Sequence, residues 1–561
     1  MNDYRYDHQT VQGFILSAIF WGVVGIVLGL LISIQLWAPA ANFAPHLTYG
    51  RLRTVHTNGL AFGLGVGAIF GLSYWIVMRL TKRPLLFPKL ARFQLWLFNA
   101  GIALAAVSLL AGQTQSLEYA ELEWPLDIAI VVLWVMFAVN VIGTIVKRKE
   151  EQMYVSLWYV LATVVAVAVL YIVNNLSIPA GLTKSYHLFA GANSANVEWW
   201  YGHNAVGFVF TTPILAMFYY FLPKSTGLPI FSHRLSIVAF WSLVFAYLWT
   251  GAHHLVYTPI PDWLQTLGII FTIFLIAPSW GSVVNGYYTV GQDWSKMRSN
   301  YLTKFFVLGI TFYGLQTVQG PTQAFRVVSQ LIHYTDWVPG HVHMGTMGWV
   351  TMVTTASIYY VIPKIYGTEI YSEKIANTHF WLVLVGQLLF SITMWITGIR
   401  QGWMWKATDA NGKLLYPNYI DTVVDNYPMW QARTFAGVIF AVGMLFFVYN
   451  VIMTIRKGSA LEAAAPAGVS RAANPWTSRS DSCLTLNWVI ALASFTSVAF
   501  IFAITAFDGS TVVSTTSPTT TYLRSGDAMK VSALLPCGPA MLSVPSSGGT
   551  STQAPSAARA C

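Results

Sequence analysis

Six of the chain's twelve histidines fall where long apolar runs begin or end: His56, His203, the adjacent His253 and His254, and His341-x-His343. A histidine at membrane depth is costly and usually faces inward onto a partner. Singly, each could be a hydrogen-bonded packing residue. Six at one depth, two adjacent and two at i,i+2, point to shared metal chemistry. His341 and His343 are about 200° apart on a helix, so their rings leave opposite flanks. One helix can then serve two metal centres. His253 and His254 are about 100° apart and can converge on one ion. His203, from the preceding run, can supply a third imidazole, and three imidazoles suit copper. His56 can face His343 across a haem, giving a six-coordinate iron. His341 alone would leave an iron with an open position for a gas.

Composition says what must hold these residues. Of 561 residues, 55% are hydrophobic and only 9% are charged, against roughly 25% charged in soluble chains. The chain reads as an all-α polytopic membrane protein. The formal net charge of +10 does not mean nucleic acid. There is no basic stripe with interleaved aromatics, and the basic residues cluster in short loops between apolar runs. Cys483, Cys537 and Cys561 lie in the last eighty residues, and none forms a C-x-x-C pair. No c-type haem or zinc knuckle is encoded by them. The polar start, Met1 to His8, lacks the marks of a signal peptide, so the first run is expected to be retained.

A span needs about 20 mostly apolar residues. Twelve runs qualify, near 14–37, 54–78, 93–112, 127–146, 155–175, 201–222, 236–258, 264–289, 304–326, 341–363, 377–398 and 431–455. A thirteenth lies at 486–507. Alternate loops are basic: Arg79 to Arg92, Lys147 to Lys149, Lys224 and Arg234, Lys296 to Lys304, Lys364 and Lys374, Arg456 and Lys457. The opposite side has fewer basic residues and carries Glu118, Glu121 and Glu123. The positive-inside rule then predicts a cytoplasmic N-terminus, with all six histidines toward the outer face.

Five stretches carry a family resemblance: GRLRTVHTNG (50–59), EYAELEWPLD (118–127), WWYGHNAVGF (199–208), YLWTGAHHLVYTPIPDW (247–263) and HYTDWVPGHVHMGTMGW (333–349). Over about residues 10–457 the chain resembles the haem-copper oxygen reductases, and among them the cbb3-type cytochrome c oxidase catalytic subunit I. The resemblance implies a twelve-helix bundle in a bacterial inner membrane. It makes His56 and His343 the ligands of a low-spin haem b. His341 becomes the ligand of a high-spin haem b3, and His203, His253 and His254 those of the copper CuB. It implies O₂ reduction to water, proton translocation and electrons from cytochrome c through c-type cytochrome subunits. It also places a calcium near the haem propionates, with Glu118 at the matching position.

Mitochondrial-like relatives have a tyrosine four residues after the first copper histidine. Gly207 stands there in this chain. Tyr247, seven residues before His254, resembles the relocated tyrosine of the cbb3 type and is the expected catalytic phenol. Haem propionates need cationic or hydrogen-bonding partners, and Arg51, Arg53, His333 and Arg433 are the candidates. Each arginine could instead be an interfacial anchor. Tyr219, Tyr220, Ser242, Asn285, Tyr287 and Tyr313 are candidates for a proton path. Gln319 stands where the family commonly has glutamate, which puts any proton-carrying role there in doubt.

Two rival readings stay open. A nitric oxide reductase would hold non-haem iron with glutamates nearby, but no carboxylate lies within a turn of His203. A transporter or channel would need no haem. Domain organisation reads as a catalytic unit over 1–457 and an Ala/Ser/Pro/Thr-rich tail over 458–561, which looks disordered past 508.

Overall fold

The computed structural model describes residues 6–458. The run at 486–507, the three cysteines and the tail lie outside the described residues. In chain order the helices are α1 (His8–Gln35), α2 (Tyr49–Asn58), α3 (Gly67–Thr81), α4 (Pro88–Ala111), α5 (Trp124–Val146) and α6 (Val155–Asn174). A short antiparallel hairpin follows, β1 (Ser177–Gly181) with β2 (Lys184–His187). Then come α7 (Gly191–Phe210), α8 (Thr212–Thr226), α9 (His233–Tyr247), α10 (Asp262–Phe274), α11 (Ile276–Gly291) and α12 (Lys296–Ser299). The last are α13 (Tyr301–Ala324), α14 (Arg326–Ile332), α15 (Trp337–His343), α16 (Thr351–Ile365), α17 (Glu373–Lys406), α18 (Tyr419–Asp425) and α19 (Tyr427–Lys457). π-helical segments join α2 to α3 (Gly59–Val66) and α15 to α16 (Met344–Val350).

Among the described residues, nine helical spans are long and apolar enough to cross a membrane. The other three predicted runs also fall largely on helix, but are shorter or more polar. They are α9 with the turn after it, α13, and α15 with α16. The physical reason is local. These elements carry His253, His254, His341 and His343, and α13 carries Gln316, Gln319 and Gln323 on one flank. The prediction of one helix over 236–258 is corrected, because α9 stops at Tyr247 and a 3₁₀ turn covers Gly251–Leu255. The β hairpin is a small departure from the all-α expectation.

One clamp recurs three times. An Asn-x-x-x-Thr pair near the end of one helix grips the start of the helix packed antiparallel to it. The Asn140 carboxamide accepts the Phe87 N–H at 2.9 Å and donates to the Phe87 carbonyl at 3.1 Å, while Thr144 accepts the Leu86 N–H at 3.0 Å. Asn285 brackets Ser232 in the same way, both at 2.9 Å, and Thr289 takes the Phe231 N–H at 3.0 Å. Asn450 brackets Ser372 at 3.1 and 2.9 Å, and Thr454 takes the Tyr371 N–H at 3.0 Å. Helix starts leave backbone N–H groups without intrahelical partners. In a bundle with little water, each such group needs a designated acceptor. All three asparagines are fully buried.

The core is a continuous apolar cluster rich in aromatics, with Trp75, Trp349, Tyr74 and Phe70 fully buried. On the perimeter Phe20, Trp96, Val107 and Phe435 are each more than half exposed. An apolar exterior over a polar-spotted interior is what a lipid solvent demands.

Candidate metal centre

The site is assembled from five elements: α2, α7, α9, the 3₁₀ turn after it and α15. His203 lies two turns from the end of α7. The 3₁₀ turn after α9 carries His253 and His254. It presses on α7 so closely that a Cβ at Gly251 would collide with the Trp199 carbonyl. Ring centroids stand 4.3 Å apart for His203–His253, 4.4 Å for His253–His254 and 5.2 Å for His203–His254. One nitrogen from each lies within 4.8 Å of the others, close enough to hold one ion.

Hydrogen bonding orients the rings. The Thr272 hydroxyl donates to the Gly268 carbonyl at 2.6 Å, so toward His253 Nδ1, also at 2.6 Å, it accepts. His253 thus carries its proton on Nδ1 and leaves Nε2 free. His254 is stacked on Trp199 at 4.1 Å with rings 13° from parallel. His203 Nδ1 and His254 Nε2 face one another at 3.1 Å. His203 Nε2 is buried with no hydrogen-bond partner. The donor set is three imidazoles and no carboxylate, and it fits a borderline metal such as copper.

Tyr247 is the last residue of α9, and its ring lies against Gly207. A Cβ at Gly207 would come within 2.5 Å of Tyr247 Cδ1. The ring is 5.5 Å from that of His203 and inclined by 31°. Its hydroxyl lies 3.4 Å from Thr211 Oγ1. Seven residues would put Tyr247 and His254 on one face of a continuous helix, but the helix ends between them. What brings the phenol to the cluster is the gap at Gly207, beside His203.

The remaining histidines flank α15 as their spacing requires. His341 Nδ1 meets Gln319 Oε1 at 2.9 Å, and His343 Nδ1 donates to the Pro339 carbonyl at 2.7 Å. Across from His343, His56 Nδ1 donates to the Gly25 carbonyl of α1 at 2.8 Å. Each bond leaves an Nε2 for a metal, the arrangement that fixes a ligand's tautomer. His341 is within electrostatic reach of His203, His253 and His254, and His343 of His56 and Arg433. The six histidines therefore form two groups on either side of one helix.

The predicted propionate partners divide. Arg433 is 8% exposed and has a buried Nε with no partner. It lies over Phe390, which also packs on His343 at 4.8 Å. Asp336, 3.9 Å from Arg433, accepts from Trp430 Nε1 at 2.6 Å. Arg53 instead makes a two-pronged pair with Glu118 at 3.0 and 2.5 Å. Arg51 donates to the Leu110 carbonyl at the end of α4 at 2.7 Å and contacts His46. His333 is half-buried and stacked on Tyr334 at 4.1 Å. Burial holds its pKa below the usual histidine value.

Of the proton-path candidates, Tyr219 and Tyr313 are buried, and Tyr313 donates to Ser279 at 3.1 Å. Tyr220 is buried as well, and Tyr287 is paired with Thr311. Ser242 is half-buried and bonds back to Val238 of its own helix. Asn285 belongs to a clamp, although its amide also reaches the Tyr219 hydroxyl at 3.5 Å. Sequence reasoning missed Glu198, which accepts the Glu118 N–H at 2.8 Å, and Asp336. Both are acidic residues within seven positions of a candidate ligand, a signal that was available.

The family model for cytochrome c and quinol oxidase polypeptide I covers residues 9–439. The chain belongs to that family. It is 45% identical to the Cbb3-type cytochrome c oxidase subunit CcoN1 of Stutzerimonas stutzeri, over 83% of this chain and 98% of that protein. It is 41% identical to cytochrome c oxidase subunit 1 of Rhodobacter capsulatus, over 81% and 86%. Among solved structures, a heme-copper terminal oxidase dimer superposes with a TM-score of 0.69 at 19% identity, covering 88% of this chain and 91% of that one. This member of the family is an oxidoreductase, closely related to cbb3-type subunit I, with a buried three-histidine cluster that can hold a metal.

Proposed function

We propose that the chain is the catalytic subunit of a proton-translocating cytochrome c oxidase that reduces O₂ to water in a bacterial inner membrane. Twelve spans, a cytoplasmic N-terminus and metal sites toward the periplasm complete the reading, with residues 1–457 as the catalytic unit. The observation that carries it is the convergence of His203, His253 and His254 beside a phenol seated on Gly207.

His203, His253 and His254 would hold CuB, His341 the high-spin haem b3, and His56 with His343 the low-spin haem b. When bound, these groups supply electrons and an open position for O₂. The chain's own residues do the rest. Thr272, Gln319, Pro339 and Gly25 fix the imidazole tautomers. Tyr247 lies where its phenol can give up a proton and an electron, and Thr211 holds its hydroxyl. Arg433 and His333 would face haem propionates. A Ca²⁺ at Glu118 would have to share oxygens that Arg53 already engages. Tyr313 and Tyr219 are the buried hydroxyls best supported as stations for protons from the cytoplasm. Electrons would come from cytochrome c through partner subunits carrying c-type haem.

Visible spectra and metal analysis of the purified complex test this reading. A CO-binding b haem together with copper is expected. Non-haem iron in place of copper would make the chain a nitric oxide reductase. Absence of haem would make it neither.

A further inference from the structure

We propose that Gln319 sets the electron-donating strength of His341 and thereby the potential of the iron bound there. The inference rests on the haem reading above. The two side chains come from α13 and α15 and meet at 2.9 Å. An imidazole that binds metal through Nε2 must carry its proton on Nδ1, so the Gln319 carbonyl oxygen has to be the acceptor. The reversed amide would force a proton onto Nε2 and block the metal.

The acceptor is neutral, and so are its neighbours. Gln316, Gln319 and Gln323 share one flank of α13. The Gln316 carboxamide packs against Gly345 of the π-helical segment, and Gln323 Oε1 is buried without a partner. From Tyr301 to Ala324 there is no carboxylate, and Lys304 is the single charged residue, near the other end of the helix. A carboxylate acceptor would draw the Nδ1 proton strongly and make the ring a more basic ligand. A carboxamide draws it weakly. Iron on His341 is therefore held by a nearly neutral imidazole, a weaker donor that favours the reduced metal. Gln319 acts through His341 and is a positioning residue.

The test uses the intact complex and the variants Q319E and Q319L. The readouts are the midpoint potential of the CO-binding haem and its iron–histidine stretching band. In Q319E the band moves up and the potential falls. At a fixed poise the reduced-to-oxidised ratio drops about tenfold, which is 59 mV for one electron. In Q319L the band moves down, because Nδ1 loses its acceptor. The low-spin haem at His56 and His343 stays unchanged and serves as internal control. A high-spin haem with the same band and potential in both variants overturns the proposal. If Q319E does not assemble, Q319L decides alone, since an unmoved band there also overturns it. Absence of a high-spin haem from the parent complex is a separate result, which overturns the haem reading and this inference with it.

Discussion

Tyr247 occupies the space that a side chain at position 207 would fill. The phenol comes from the end of α9 and the vacancy from α7, one turn after His203. His203 Nε2 is buried with no hydrogen-bond partner, and its ring is 5.5 Å from that of Tyr247. A covalent bond between the phenol ring and that imidazole, its two electrons and two protons passing to O₂ during turnover, would satisfy this arrangement. It would also lower the phenol's pKa and hold it in place for proton transfer. Peptide mapping of active enzyme should yield the Tyr247 and His203 fragments fused, two hydrogens lighter than their sum. Separate fragments at full yield would refute the link. Tyr247→Phe should lose O₂ turnover while keeping both haem signals. Gly207→Ala should displace the ring and cost about 1–3 kcal/mol by overpacking.

His56 would stand alone on its side of the proposed low-spin haem site, and it is hydrogen-bonded to Gly25 of α1. Replacing it with alanine should abolish the low-spin spectrum and leave a high-spin b haem that still binds CO. Retention of both signals would remove His56 from the ligand set.

The three asparagine clamps make a prediction independent of any metal. Each asparagine satisfies one backbone donor and one acceptor at a buried helix start. Leaving such groups unpaired costs about 1–3 kcal/mol. Asn140→Ala and Asn450→Ala should each lower the melting temperature in detergent, by similar amounts, without shifting the haem bands. An unchanged melting temperature would mean that solvent or lipid replaces the clamp.

Glu121 gives a pH signature. Its carboxyl accepts from Asn58 at 3.0 Å, and burial raises its pKa above the usual 4.5. A raised carboxyl contributes stability that is present below the unfolded value and lost as pH rises through the folded one. Each pH unit within that window is worth about 1.4 kcal/mol. The parent protein should therefore lose stability above pH 4.5 relative to Glu121→Gln, and the two should converge at lower pH. Melting curves at several pH values would show parallel profiles if the carboxyl were ionised without penalty.

The convergence of His203, His253 and His254 was legible because lipid leaves few reasons for a histidine. The i,i+2 spacing of His341 and His343 also carried over, since an α-helix turns by a fixed angle per residue. The end of α9 was not legible. Apolar residues continue on both sides of His253 and His254, whereas the backbone changes to a 3₁₀ turn pressed between Trp199 of α7 and Gly268 of α10. Arg51 and Arg53 lie inside α2, which starts at Tyr49 rather than near residue 54, and their partners, Leu110 and Glu118, are set by packing roughly sixty residues away. The role of Asn285 became clear only beside Asn140 and Asn450. The Asn-x-x-x-Thr spacing that unites them is visible in the sequence.

The claim that His203, His253 and His254 bind copper is tested most directly by copper content per haem in the purified complex and in His254→Ala. Copper in proportion to haem is expected in the parent. The variant should lose copper and O₂ reduction, with both haems retained. A variant that keeps its copper and its turnover would contradict it.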